Sequence, residues 1–589
     1  MVPLLLSAAL LAQSPQSSEP RLRYLTTVRQ YGPVGYRDPL GVISPDGAWL
    51  ATASETRVQV QRTLGGPIAD LGPSDEQITD LAWLPDSRHL AVRTRTFERH
   101  VTRWVVYDVV SRQHAPLWRE RQRIRGRREG DTTTVEIEPG DLIQLAWSPG
   151  GDSVAGIVRR PDGSALWVVR ADGAGARVRD RPWRLTFPAW RPSGQGIACL
   201  SLQGRRQRLD FDCGVGSADS IEAYGPIAFA PDGRTIYYAA PNELGTLDLR
   251  RRGIGAGSDE RLTAFARDAY APSITRDGRV LFKTQDYRVF VADAPAEGGA
   301  SRPLTTFQSE TPTWSPDGRS IGVTFGSWRR VIDDFYYPDI AQDLGIVEVR
   351  ESPAGAPTTV FRSTPSEDQG MAWSPNGRWI AFHSHADGTD DVYLQPADRS
   401  GPARMASEHL YETGWPRWSP DGRWIVFPSE DPAVRASHGF LSVLGVDPET
   451  GLVTRPPQRL GLEDFPGGAL HAEWSPDGRQ VVFDGISALG HKGLYVVPAT
   501  GGRPRRIHAY DSDQVYSGIS VSPDSRWVAF VAPMPGGHFQ VFRAPMGGGA
   551  PEQLTFDPTD KTQPAYAPRG DRIAFTVFTY TVQFWLLKP

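Results

Sequence analysis

A chain of 589 residues with a formal net charge of −4 has no global basic field to draw nucleic acid or an acidic membrane surface. Its apolar content of 39% and aromatic content of 10% exclude a disordered chain, and its length exceeds what one ordinary core serves. Two or more domains are therefore expected.

The chain opens on an apolar run, Val2 to Ala12, followed by polar Ser14 to Glu19. This is short of the ~20 residues that span a bilayer and has signal-peptide length, with Ser7 and Ala9 as small residues for cleavage. Residues 1–20 are read as a signal peptide of a periplasmic or secreted protein, although no Lys or Arg precedes the run. A disordered apolar start is the plain alternative. Leu22-Arg-Tyr-Leu-Thr26 then has the pattern of an outer strand that lacks a blade.

From Pro45 onward one pattern returns twelve times: an aromatic or small residue, Ser-Pro-Asp-Gly-Arg, then an apolar strand. Full copies stand at Trp314–Arg319, Trp373–Arg378 (with Asn376 for Asp), Trp418–Arg423 and Trp474–Arg479. Weaker ones centre on Pro45, Pro85, Pro149, Pro192, Pro231, Arg276, Pro523 and Pro568. The spacings are 40, 64, 43, 39, 45, 40, 59, 45, 56, 47 and 45 residues, the period of a four-stranded propeller blade. Pro presets the turn, Asp caps backbone N–H groups, and Gly takes a backbone geometry that side chains disfavour.

The fold class is thus all-β, a β-propeller of twelve four-stranded blades. Single propellers have about 4–8 blades, so two six-bladed rings in tandem are expected over 21–298 and 299–589, cut near Ala294–Ser301. Leu22–Thr26 is expected to close the last blade of the first ring, and Pro303–Thr306 that of the second. One twelve-bladed ring fits the strand count equally.

In the first half, Arg119–Arg127 carries arginine at every second position. A hairpin opposing Arg123 to Glu136, Arg121 to Glu138 and Ile124 to Val135 makes it a salt-laced strand pair rather than a nucleic-acid stripe. Cys199 and Cys213 are the only cysteines. A hairpin turning near Arg206 sets them opposite each other, where an oxidising compartment would close a disulfide; two reduced thiols are the alternative.

In the second half, Ser327–Leu344 is an insertion holding Tyr336 and Tyr337 among aspartates, either a partner-binding loop or a packed cover. Eight of eleven histidines lie there. Strand alternation puts His383 and His385 on one face beside Asp387 and Asp390, a spacing able to ligate a metal, though two polar residues ending a strand look the same. Ahead of the repeat aromatics stand Glu310, Asp368, Glu412, His471, Tyr516 and Lys561, with Trp415 beside Glu412. In a propeller these segments surround the axis, so the residues either line a channel mouth or are solvated loop positions.

The Trp-Ser-Pro-Asp-Gly-Arg-x-Ile-Ala-Phe repeat resembles that of TolB-type propellers of exported bacterial proteins, and is similar to the propellers of prolyl-oligopeptidase-family enzymes and the tricorn protease. The resemblance covers nearly the whole chain after the leader. It implies a propeller without specifying a function, and the α/β domain of TolB has no counterpart here. The Gly-x-Ser-x-Gly elbow of the peptidases is missing from the sequence, as are Gly-Lys-Ser/Thr phosphate loops, His-Glu-x-x-His and Cys-x-x-Cys. The reading is a non-enzymatic, monomeric scaffold in the cell envelope that binds a protein or peptide, without cofactor, metal, nucleic acid or transmembrane segment. The candidate contacts are Asp368, His383, His385, Glu412, Trp415, His471, Tyr336 and Tyr337. The alternative is a non-catalytic propeller subunit, or degenerate relative, of a peptidase that gates peptide substrate.

Overall fold

The repeated turn explains its own residues. In the copy at Ser315–Arg319 the Ser315 hydroxyl donates to Asp317 Oδ1 at 2.6 Å and accepts the Ser320 N–H at 3.0 Å. Asp317 Oδ1 also accepts the Arg319 N–H at 3.0 Å, and Gly318 sits at φ +69°, a left-handed geometry that favours glycine. The same bonds recur at Ser419–Trp424 and Ser475–Gln480. Each turn leads into an apolar strand covered on both faces; Trp379–Ser384 is buried at every position.

The computed structural model describes residues 22–29, 40–54, 57–73, 76–95, 102–118, 123–130, 133–160, 163–203, 206–213, 221–242, 246–255, 259–265, 267–326, 342–364, 366, 368–386, 391–407, 414–429, 440–463, 465, 468–510, 518–534 and 538–588. They fall into two compact units, which exchange the chain between Gln285 and Asp286 and between Thr581 and Val582.

In the first unit the inner strands are Leu40–Ile43, Gln77–Trp83, Ile143–Trp147, Arg184–Trp190, Tyr224–Phe229 and Ala269–Ile274. Each neighbours the next and the last returns to the first, so six blades close a ring. Ring two is built likewise on Ser309–Trp314, Asp368–Trp373, Arg417–Trp418, Ala469–Trp474, Ser520–Val521 and Asp560–Tyr566. Nine of the blades are separate four-stranded antiparallel sheets. The third blade of ring one is widened to six strands, because Ile124–Arg128 pairs in parallel with Ala176–Arg181 and carries Thr134–Ile137 on its outer side.

The units divide ahead of the expected Ala294–Ser301 cut. Val280–Pro295 is one 16-residue strand that begins in the closing blade of ring one and ends in that of ring two. Arg572–Leu587, also 16 residues, runs the opposite way. Leu22–Arg29 supplies the fourth strand of the last blade of ring one, and Arg302–Pro303 pairs with Ala292 and Asp293 to complete that of ring two.

Two hairpin registers differ from the sequence reading. Ile124 faces Ile137 and Arg125 faces Glu136, two residues from the expected pairing, so every side chain keeps its face. The ion pairs are Arg125–Glu136 at 2.7 Å and Arg123–Glu138 at 3.6 Å; Arg121 lies outside the described residues. Cys199 faces Asp210 rather than Cys213, because only two residues join Gln203 to its partner Arg206. Cys213 follows the strand, donates its N–H to the Ile197 carbonyl at 2.6 Å, and is disulfide-bonded to Cys199 with Cα atoms 5.1 Å apart.

The motif tryptophans join blades. Trp83, Trp190 and Trp418 donate Nε1–H to Val42, Ala146 and Ala372 carbonyls of the preceding inner strand at 3.0, 2.9 and 3.1 Å. Trp314 makes the same bond at 3.1 Å to Ala565, which ties the first blade of ring two to its last. Trp314→Phe keeps the ring and deletes this bond, so urea unfolding should show a loss of about 1 kcal/mol. An unchanged midpoint would mean the bond contributes nothing to closure.

Candidate functional site at the axis of ring two

Inner strands of ring two carry a register break three residues before the motif aromatic. Thr311, Gly370, Gly518 and Gln563 occupy that position at φ +49°, +63°, +86° and +55°. At Thr311 the N–H turned out by the bulge is accepted by Gln563 Oε1 of the preceding blade at 3.0 Å. The third and fourth blades place Trp415 and His471 at this position instead.

In the fourth blade the register break falls between Ala469 and His471, and from Trp415 and His471 to the motif aromatic the burial alternates. Trp415, Arg417, His471 and Glu473 are partly exposed, whereas Pro416, Trp418, Ala472 and Trp474 between them are buried. The first four therefore face the axis and the second four face the blade interfaces. The Trp415 and His471 rings lie 5.5 Å apart, tilted by 48°. Any side chain on Gly370 would collide with the Trp415 ring, so that glycine makes room for the indole.

His471 is held by Asp484, which stands opposite it on the next strand and is fully buried. The carboxylate accepts the His471 backbone N–H at 2.8 Å, and both its oxygens lie 3.1 Å from Nδ1. This fixes the ring and leaves Nε2 as the nitrogen available to a ligand.

One turn of the alternation further on, Arg417 and Glu473 stand on adjacent strands where the other blades have Thr313, Ala372, Ser520 and Ala565. Arg417 Nη1 donates to the Pro416 carbonyl at 2.9 Å, its one acceptor among the described residues. Burial lowers its pKa, against the pull of Glu473. Glu473 accepts the Val521 N–H at 3.2 Å, and burial pushes its carboxyl up to about 7 despite Arg417. The cluster thus offers an aromatic platform, an oriented imidazole, a guanidinium with unused donors and a carboxyl that titrates near neutrality.

The other candidates are placed differently. Asp368 is fully buried and accepts bonds from Arg362 at 3.0 Å and Thr364 at 2.8 Å. Glu310 is buried and accepts from Gln342 at 3.4 Å. Lys561 is buried, with Nζ 2.6 Å from Asp557 Oδ1 and 2.8 Å from the Thr559 carbonyl. These three sit four or five residues ahead of the motif aromatic, not three, and point into the ring wall. His383 is buried within its strand, whereas His385 is exposed beyond its end at Ser384. Glu412, Tyr516, Tyr336, Tyr337, Asp387 and Asp390 lie outside the described residues. Among the described residues no group of three His, Cys, Asp or Glu is arranged to hold a metal. Arg417, Glu473 and Asp484 were not singled out from the sequence. The signal for the first two was a charge directly ahead of Trp418 and Trp474, where other repeats carry a small residue.

No protein-family profile matches the chain. A stretch of 161 residues, 27% of the chain, is 26% identical to the "Uncharacterized peptidase YuxL" of Bacillus subtilis strain 168, and spans 22% of that protein. Among solved structures, a putative TolB from Agrobacterium tumefaciens is 23% identical with a TM-score of 0.37, over 50% of this chain and 99% of that one. TolB from Acinetobacter baumannii is 14% identical with a TM-score of 0.35, over 66% and 82%. The tricorn protease is 11% identical with a TM-score of 0.30, over 88% and 63%.

Proposed function

We propose that this protein is an exported propeller scaffold that binds a protein or peptide segment at the axis of ring two. The observation that carries the reading is the cluster of Trp415, Arg417, His471 and Glu473, in which the two charges stand where the other blades of ring two supply Thr313, Ala372, Ser520 and Ala565. Paired aromatic and guanidinium groups are the side chains that dominate protein-recognition energetics. Export is supported by the apolar leader and by the Cys199–Cys213 disulfide, a bond that persists in oxidising compartments. No helix among the described residues is long and apolar enough to cross a membrane.

The test is a pull-down from cell-envelope extract with residues 21–589 and with its Trp415→Ala/His471→Ala variant. A stoichiometric partner retained by the first and reduced at least ~10-fold by the second, a loss of about 1.4 kcal/mol, is expected. Equal recovery would remove ring two's axis from the account. A second reading, a propeller that gates substrate for a peptidase, draws on the likeness to the Bacillus subtilis protein. It requires the captured partner to be a hydrolase whose peptide turnover changes when the propeller is added.

A further inference from the structure

Resting on the peptide-binding reading, we propose that Arg417 and Glu473 together form a seat for a carboxylate of the bound segment, with Trp415 covering the neighbouring side chain. Arg417 is a cation drawn into the ring lumen with one acceptor among the described residues, so most of its five N–H donors are open to a ligand. A guanidinium fork matches a carboxylate in two parallel bonds, which an amide oxygen cannot reproduce. At the same motif position the other blades of ring two carry Thr313, Ala372, Ser520 and Ala565, none of which brings a charge to compete for the guanidinium.

Glu473 decides how an anion is admitted beside it. The groups that face it are Arg417 from the preceding blade, His471 on its own strand with Asp484 behind, and the Ser520 hydroxyl and Val521 N–H from the following blade. Burial pushes its carboxyl up to about 7, against the pull of Arg417 and the bonds from Val521 and Ser520. A second carboxylate arriving on Arg417 favours the protonated form, which then donates a hydrogen bond to the ligand instead of repelling it. Binding is therefore coupled to one proton. Above the Glu473 pKa each pH unit should weaken a carboxylate ligand tenfold, and just below it affinity should level off.

The experiment uses the full mature chain and pools of random synthetic heptapeptides, with bound members identified by mass spectrometry. Four pools cover the sources: free C-terminus or C-terminal amide, each with Asp and Glu present or replaced by Asn and Gln. Enrichment of the free-acid pools identifies a terminal carboxylate. Enrichment of the amidated pool only when Asp and Glu are present identifies a side-chain carboxylate. For an enriched peptide, affinity should fall about tenfold between pH 7.5 and 8.5. Glu473→Gln, a neutral mimic of the protonated acid, should bind with the pH dependence abolished. Arg417→Gln should lose the acid preference, and the four-pool comparison on the native chain decides even if that variant does not fold. Capture of peptides without acid preference, or an unchanged pH slope in Glu473→Gln, would overturn the carboxylate seat while leaving peptide binding in place. Capture of nothing would overturn both.

Discussion

Ending the chain at Thr581 should unfold ring one and leave ring two cooperative. Val582–Leu587 comes last in sequence but lies between Leu22–Arg29 and the start of Val280–Pro295 in ring one's closing blade. Val582, Phe584, Leu586 and Leu587 are at most 6% exposed. At roughly 1.5–3 kcal/mol apiece their loss removes on the order of 6–12 kcal/mol, against the roughly 5–15 kcal/mol that holds a whole domain. The contacts are also irreplaceable in kind. Phe584 packs where Gly41 of the first blade has no side chain. Trp585 donates Nε1–H to Thr284 at 2.9 Å and packs against Tyr24 and Phe265, with ring centroids 5.5 and 5.7 Å away. Limited proteolysis read by mass spectrometry should show early cuts in ring one, residues 22–28 and 40–285, and not in ring two. Protection of that stretch equal to the full chain would refute closure by the terminal strands.

Asp293→Ala should cost ring two about 3 kcal/mol, the lower end of what breaking a buried ion pair costs. The carboxylate is fully buried and grips two arginines from different strands: Arg302 at 2.9 and 3.1 Å, and Arg572 at 2.5 and 2.7 Å. Its removal leaves two guanidiniums facing each other across the blade that completes the ring. Burial disfavours the charge on Asp293, but the bonds from Arg572 and Arg302 outweigh this and hold its pKa below the usual carboxylate value. A depressed carboxyl pKa adds stability that is present above the unfolded value of about 3.9 and is lost as pH falls through the folded one. Acid unfolding of ring two should thus become less steep below about pH 4 in the variant. Identical acid transitions would show that the clasp carries no linkage.

What was legible in the sequence follows from how local each signal is. The blades were legible because Ser315, Asp317 and Gly318 make their turn with bonds spanning five residues or fewer. The closing strands were legible too, since Leu22–Thr26 has a strand pattern with no blade of its own. The unit boundary was not, because Lys283-Thr-Gln-Asp-Tyr-Arg288 contains neither Gly nor Pro and belongs to a single strand, Val280–Pro295. The two hairpin registers slipped by two and three residues because turn length, which side-chain patterning does not reveal, sets register. At the axis, Trp415 and His471 were visible as an aromatic and an imidazole ahead of the motif. Glu310, Asp368 and Lys561 stand ahead of the motif as the sequence shows, but they lie beyond the bulges at Thr311, Gly370 and Gln563 and are buried, which nearness to the motif does not reveal.

The central claim is that the axis of ring two is where the partner sits. Photo-crosslinking tests it most directly, with p-benzoylphenylalanine installed at Trp415 in one protein and at the exposed Leu489 of the same ring in another. Both are expressed in the native host and irradiated in the cell. The account predicts one dominant adduct from position 415 and none of that mass from position 489. Adducts from 489 alone, or the same species from both, would contradict it.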